Sequence, residues 1–311
     1  MDLETTTRNL ALLGEKYRQE FLGHETVSEL KSNWWSALRF LLGRAFMRGR
    51  RNALSSAYLA FALCELAEWL KPVSDLRSAL RRLQEARPYL ERNAWQLTET
   101  YKNKKLRYQR FKERLADNQV ARRFMNSEKR HPPYLWPDGT ESLPHWLSNA
   151  KDTAMLLDVL LLVSNLDQPN IFNFLVESVS DSESPSEGLA QADTRLQQLY
   201  QFGPKIGPLV LQDVYLLHSS PSWFDWKRLN RNAIKHFFPV DTWVSQVAML
   251  LHAQIRTDAQ ARDFFITQCI QFDCDPALVA AGAWYLGINS LEVLVKYSLP
   301  QSRLVIGDLQ R

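Results

Sequence analysis

The sequence predicts an all-α protein, and two observations carry that. Apolar residues return at three-to-four-residue spacing along most of the chain, as in Leu10, Leu13, Tyr17 and Phe21. No segment sustains strict apolar–polar alternation with β-branched residues, the mark of a half-buried strand. The chain has 311 residues and 45% hydrophobic content, enough for a sizeable core in one large domain or two packed ones. The expected division is a helical region with basic faces over 1–130 and a second helical domain over 131–311.

Taken in order, residues 4–22 form the first helix. Residues 34–69 read as a long helical pattern interrupted near Gly49, with an apolar stripe through Trp34, Leu38, Leu41 and Ala45. Its other face carries Arg39 and Arg44 and ends in a turn holding Arg48, Arg50 and Arg51. These arginines lack interleaved acids, so the face is either solvated or a phosphate contact. Residues 75–89 and 94–124 are further helices, the second being the most basic part of the chain. Four prolines and Asp138-Gly139 exclude a continuous helix over 126–145, which makes that stretch a domain boundary.

Helical patterning resumes at Trp146, where a polar loop with Asn149 and Lys151 precedes a strongly apolar helix. Residues 179–188, rich in Ser and Glu, read as a mobile loop, and 194–200 as a short helix. Helices follow over 242–255, 259–272 and 276–286, the last capped by Asp275 with Pro276 in its first turn. The tail from 291 to 311 shows no assignable pattern.

Composition narrows the function classes. A net charge of +4 permits a nucleic-acid partner without requiring one. Three cysteines, Cys64, Cys269 and Cys274, are too few and scattered for a disulfide framework or a structural zinc site. No metal or cofactor is expected, and a reducing cytoplasmic home is. The longest apolar run, Met155 to Val163, is far short of the roughly 20 residues a membrane span needs. The N-terminus lacks the basic-then-apolar layout of a signal peptide. Ten tryptophans supply core, and also a surface on which bases can stack.

The most informative stretch runs from Leu199 to Val247. A Gly-bearing turn with Lys205 separates two helical patterns, and Asp241 opens another helix. Gly203 and Gly207 give a tight turn its backbone freedom. The unpaired N–H groups at the start of the next helix can hold a phosphate without base preference. The same pattern fits an ordinary pair of antiparallel helices, and Asp241 fits an ordinary N-cap.

The run Gly203-Pro204-Lys205-Ile206-Gly207-Pro208-Leu209-Val210-Leu211 resembles the hairpin and following helix of the helix-hairpin-helix DNA glycosylases. Phe238-Pro239-Val240-Asp241-Thr242-Trp243-Val244 resembles the Pro-Val-Asp-Thr-His-Val element that carries the superfamily's essential aspartate. Leu147 to Asp152 resembles the loop that fills the gap left by a flipped base. The likeness covers about residues 146–290 and is much weaker over 1–130. Gln201 stands where the first glycine of the usual Gly-x-Gly is found, and Trp243 stands for the common His. The lysine and aspartate lie 36 residues apart (205 to 241), a long separation shared by the archaeal 8-oxoguanine branch.

The resemblance implies a helix-hairpin-helix motif and an active site in a cleft between two helical domains. It implies a DNA N-glycosylase with abasic-site lyase activity, in which Lys205 is the nucleophile and Asp241 stabilises charge on the sugar. Gly203, Gly207, Asn149, Lys151, Arg48, Arg50 and Arg51 would contact DNA. Trp223, Trp226 and Trp243 would line the base pocket, the first two from an aromatic and basic insert over 219–236 that reads equally as packing. The expected partner is double-stranded DNA carrying a modified base, bound by a nucleoid-associated monomer away from membranes. An alternative register places Leu209 at the lysine position and makes the enzyme monofunctional. 8-Oxoguanine is the substrate by resemblance, and a bulky hypermodified phage base removed in antiviral defence is the alternative. A non-enzymatic helix-hairpin-helix DNA-binding protein and a helical scaffold complete the set.

Overall fold

The computed structural model describes residues 2–47, 59, 63, 155–156, 158–160, 162–163, 165–218 and 223–291. Among the described residues all regular structure is helical and no strand occurs. The helices are α1 (Leu3–Tyr17), α2 (Val27–Ser32), α3 (Trp34–Ala45), α4 (Ile171–Ser180), α5 (Pro185–Gln198), α6 (Ile206–His218), α7 (Arg231–Ile234), α8 (Thr242–Leu251), α9 (Asp258–Phe272) and α10 (Pro276–Leu286). A partly described helical run over 155–163 precedes α4. The chain divides into two compact units, Met1–His24 with Trp226–Arg311, and Glu25–Asp225. The boundary expected near residue 130 lies outside the described residues. No helix among the described residues is long and apolar enough to cross a membrane.

The first unit is built on α1 against α10. Asp2 caps α1 by accepting the N–H groups of Glu4 and Thr5. The two backbones touch because both partners are small at the crossing. A Cβ placed on Gly14 would overlap the Leu278 carbonyl, and one on Gly282 would overlap the Leu10 carbonyl. Beyond the crossing the gap widens and aromatic rings fill it. Trp284 packs edge-on against Tyr17 and Phe21, with ring centroids 5.5 and 5.4 Å apart. Both helices relax into π-helical turns at their C-terminal ends, Arg18–Leu22 and Gly287–Leu291. Tyr285 there donates to Glu20 at 2.9 Å. Thr257 and Gln260 form a reciprocal capping box at the start of α9, and Asp275 caps α10 as its sequence predicts.

The second unit stacks α3, α4, α5 and α6 around Phe40, Phe46, Phe172 and the apolar face of 155–163. Asn33 caps α3 and Asn170 caps α4. The Asn170 amide also donates to the carbonyls of Leu30 and Lys31 at 2.8 and 3.1 Å, tying the end of α2 to the start of α4.

Two boundaries differ from expectation. The Ser/Glu-rich stretch is not a long loop, since α4 runs to Ser180 and α5 already starts at Pro185. Ser184 accepts the Glu187 N–H, Pro185 occupies the first turn, and Gly188 lets the backbones meet (a Cβ there would sit 2.6 Å from the Val179 Cα). The start signal Ser-Pro-Ser-Glu is legible; polar composition masks it. The helix from Thr242 stops at Leu251, four residues early, with His252 extended at its C-cap.

Replacing Gly282 with Ala is expected to lower unfolding stability by about 1–3 kcal/mol, because a methyl group must push α1 and α10 apart. Urea unfolding of the full chain reads it, and an unchanged midpoint would show that the crossing is loose.

Candidate functional site

The stretch with Lys205 lies in the second unit between α5 and α6. Its turn, 199–205, buries Leu199, Tyr200 and Phe202 and leaves Gln201, Gly203, Pro204 and Lys205 partly or fully exposed. The buried carboxylate of Asp158 accepts the Tyr200 N–H at 2.7 Å, so the turn is held from beneath by a side chain 42 residues away. Gln201 takes a left-handed backbone with φ 68°. A glycine is expected from the sequence at this position, and a glutamine bears the strain. Helical bonding begins at the outer edge, with Gly207 N–H donating to the Gly203 carbonyl (3.3 Å) and Leu209 N–H to that of Lys205 (3.0 Å). Lys205 therefore stands at the start of α6, half-buried.

The two glycines have different jobs. Neither has a left-handed φ, so the expectation that they supply the turn's backbone freedom is corrected: Gln201 makes the turn. Nothing lies within 4 Å of a Cβ placed on Gly203, which leaves its backbone open to close approach. At Gly207 the tip of the Asp193 carboxylate of α5 occupies the space a Cβ would fill and would have to move aside for one. Asp193 also accepts the Gln197 side-chain amide at 2.8 Å.

Two side chains that sequence reasoning missed follow on α6. Asp213 forms a buried ion pair with Arg44 of α3 at 2.8 Å, and Arg44 also donates to the Phe40 carbonyl. Arg44 thus leaves the basic face expected to be solvated or to contact phosphate. Gln212 is 1% exposed and its amide oxygen has no hydrogen-bond partner. The signal for both was present, as Gln212-Asp213 interrupts an otherwise apolar run from Leu209 to Leu217. At the far end of α6, His218 is enclosed between Phe172 and Trp223, with centroids 5.8 and 5.3 Å away.

Asp241 lies in the first unit at the start of α8. Its Oδ1 accepts the N–H groups of Trp243 (2.9 Å) and Val244 (3.1 Å), so the N-cap role is realised. The residues before it, Phe238, Pro239 and Val240, are buried and fix its position, with the Phe238 ring against Phe265. Trp243 is half-buried and rests on Gly287, where a Cβ would come within 2.6 Å of the Trp243 Cβ.

The described part of the aromatic and basic insert is packed at Trp223, Phe224, Ala233 and Ile234 and exposed or half-buried between them. Trp223 is buried and its Nε1 donates to the Val176 carbonyl at 3.3 Å. Trp226 is half-buried. Lys227 pairs with Asp273 (2.7 Å), Lys235 with Asp263 (3.3 Å), and Arg231 donates to the Asp263 carbonyl and the Thr267 hydroxyl. These cations clamp the insert onto α9. Asn149, Lys151, Arg48, Arg50 and Arg51 lie outside the described residues. Lys205 and Asp241 belong to different units. Burial raises the thiols of Cys269 and Cys274 above the usual range, which leaves neither poised as a nucleophile.

Compared with family models, curated proteins and solved structures, the chain matches none.

Two measurements check this geometry. Gln201→Gly is expected to raise stability by about 1 kcal/mol by removing the left-handed strain. In the same urea series Gly207→Ala should lose about 1–3 kcal/mol while Gly203→Ala stays within roughly 0.5 kcal/mol. Equal effects at the two glycines would contradict the packing described.

The second concerns His218. Burial, aided by Lys31, lowers its pKa from 6.5 to about 4. Below pH 6.5 the unfolded chain therefore takes up a proton that the folded chain refuses. Stability is expected to fall as pH drops from 6.5 towards about 4 and to level off below. His218→Phe should flatten that part of the profile, and urea midpoints across this range would show it.

Proposed function

We propose that the chain is a DNA glycosylase that extrudes a modified base and cleaves its bond to the sugar, with Lys205 as nucleophile. The observation that carries the reading is the outer edge of the hairpin. There Gly203, with open space at its Cβ, and half-buried Lys205 stand at the start of a thirteen-residue helix. N–H groups at such a helix start suit a backbone phosphate, and an open glycine lets the phosphate come close. A fixed turn then presents the lysine amine beside the strand it binds.

The chemistry follows in balanced steps. The Lys205 amine attacks the sugar C1′, the C1′–N bond breaks, and the base leaves with its electron pair and takes up a proton. Opening of the sugar gives a Schiff base between Nζ and C1′. Loss of a C2′ proton and of the 3′ phosphate by β-elimination nicks the strand. Water hydrolyses the Schiff base and frees the lysine. In this reading Asp241 stabilises the positive charge that develops on the sugar. Two backbone N–H groups already fix its carboxylate at the start of α8. Trp243, next to it, and Trp226 are both half-buried, and in this reading they meet the base. Enclosed Trp223 supports the frame instead.

The test is base release from duplexes carrying a panel of modified bases, read by mass spectrometry. The panel includes 8-oxoguanine and a glycosylated hypermodified pyrimidine of the phage type, so it also separates repair from antiviral defence. Lys205→Gln is expected to abolish release and borohydride trapping, and Asp241→Asn to slow release by roughly 10²–10⁴-fold. Full activity in Lys205→Gln would move the reading to the monofunctional register with Leu209. A wild-type chain that binds DNA with steep salt dependence and releases nothing would be a non-enzymatic binder.

A further inference from the structure

Gln212 is a deeply buried polar side chain in the middle of α6 with an unmatched oxygen. Its side chain is 1% exposed, it sits in a helix packed on α3, α4 and α5, and its Oε1 accepts no hydrogen bond. A buried amide left this way is destabilising, and a methionine of the same shape would remove the penalty. Its neighbour Asp213 shows the contrast, since that carboxylate is matched by Arg44.

Position adds a second observation. Lys205 and Gln212 are seven residues apart on one helix, since the Leu209 N–H donates to the Lys205 carbonyl and α6 is continuous to His218. Seven residues are about 10.5 Å of rise and within about 20° of the same side of the helix. The unmatched oxygen lies on the side of α6 that follows Lys205, about two turns further into the helix.

We propose that Gln212 reads the extruded base, its Oε1 accepting a hydrogen bond from a ring N–H or exocyclic amine on the base edge. This rests on the glycosylase reading and deepens it, assigning a specificity residue to the same site. The bound base satisfies the amide, and in its absence the protein carries the strain. An acceptor at this point selects bases by the donor they carry, and a base without one leaves the amide unmatched.

Gln212→Met in the full chain tests it by three readouts. Single-turnover base release should fall roughly 10- to 100-fold. That loss should exceed any loss of affinity for a duplex with a tetrahydrofuran abasic analogue, which has no base to read, by about tenfold or more. The variant should also melt higher than wild type, because an unmatched polar group has gone. Unchanged release, an equal fall in release and abasic affinity, or a lower melting temperature each overturns the proposal. In all three cases an active wild-type chain leaves the glycosylase reading standing. A wild-type chain that releases no base from any duplex overturns both.

Discussion

The second unit depends on the ion pair between Arg44 and Asp213. The two residues are 169 positions apart, and their side chains are 11% and 1% exposed. Neither charge could be left there alone, since stripping the partner from a buried pair costs about 3–5 kcal/mol. The guanidinium also donates to the Phe40 carbonyl and lies 3.8 Å from the centre of the Phe40 ring, which packs edge-on against Phe172. An apolar pair of similar size could hold α3 and α6 together as well. What it could not do is fix the rotation of α6 about its own axis. Sliding or turning α6 by one residue would swing Asp213 away from Arg44. The pair thereby sets which way the rest of α6 faces, Lys205 and Gln212 included.

Two locally disfavoured features lie at this same helix. Gln201 holds a left-handed conformation that costs about 1–2 kcal/mol, and Gln212 holds an unmatched amide. Both lie in or next to α6, and the first unit has counterparts on and beside α9, where Asp273 takes a left-handed backbone and Gln268 holds a buried unmatched oxygen. The anchors around the hairpin are what make the strain tolerable. Asp158 grips the turn through the Tyr200 N–H, and Asp193 closes against Gly207. A turn held on both sides keeps its shape without the glycine that usually provides it. Strain that persists only because its surroundings over-determine it is the physical reason to look at this edge of the protein for function.

The parts legible in the sequence are those whose causes are local. Helical period gave the all-α class, and the caps at Asp241 and Asp275 were visible as an acid before a helical pattern, with Pro276 reinforcing the second. Even the mistaken loop over 179–188 had a local cure, because Ser184, Pro185 and Glu187 spell a helix start that polar composition outvoted. Contacts between distant residues left no such trace. Nothing near Arg44 says that its partner is Asp213, and nothing near Gly207 says that a carboxylate from the preceding helix fills its missing side chain. Trp223 shows the same limit from the other side. Its aromatic and basic neighbourhood reads as a binding surface, yet its ring is shut between His218 and Phe224 and its N–H is spent on Val176.

Asp241 shows why a structural role and a chemical one need not compete. A carboxylate that caps a helix is held by two N–H groups at 2.9 and 3.1 Å, and buried Phe238 and Val240 hold the chain leading into it. A group meant to stabilise developing positive charge gains from such restraint, because it need not be reorganised as the charge forms. The capping bonds converge on Oδ1, so the cap sets the carboxylate's position and direction through a single oxygen. Any change that keeps the cap but removes the negative charge, as an asparagine does, separates the two roles: the helix start survives and the electrostatic contribution does not.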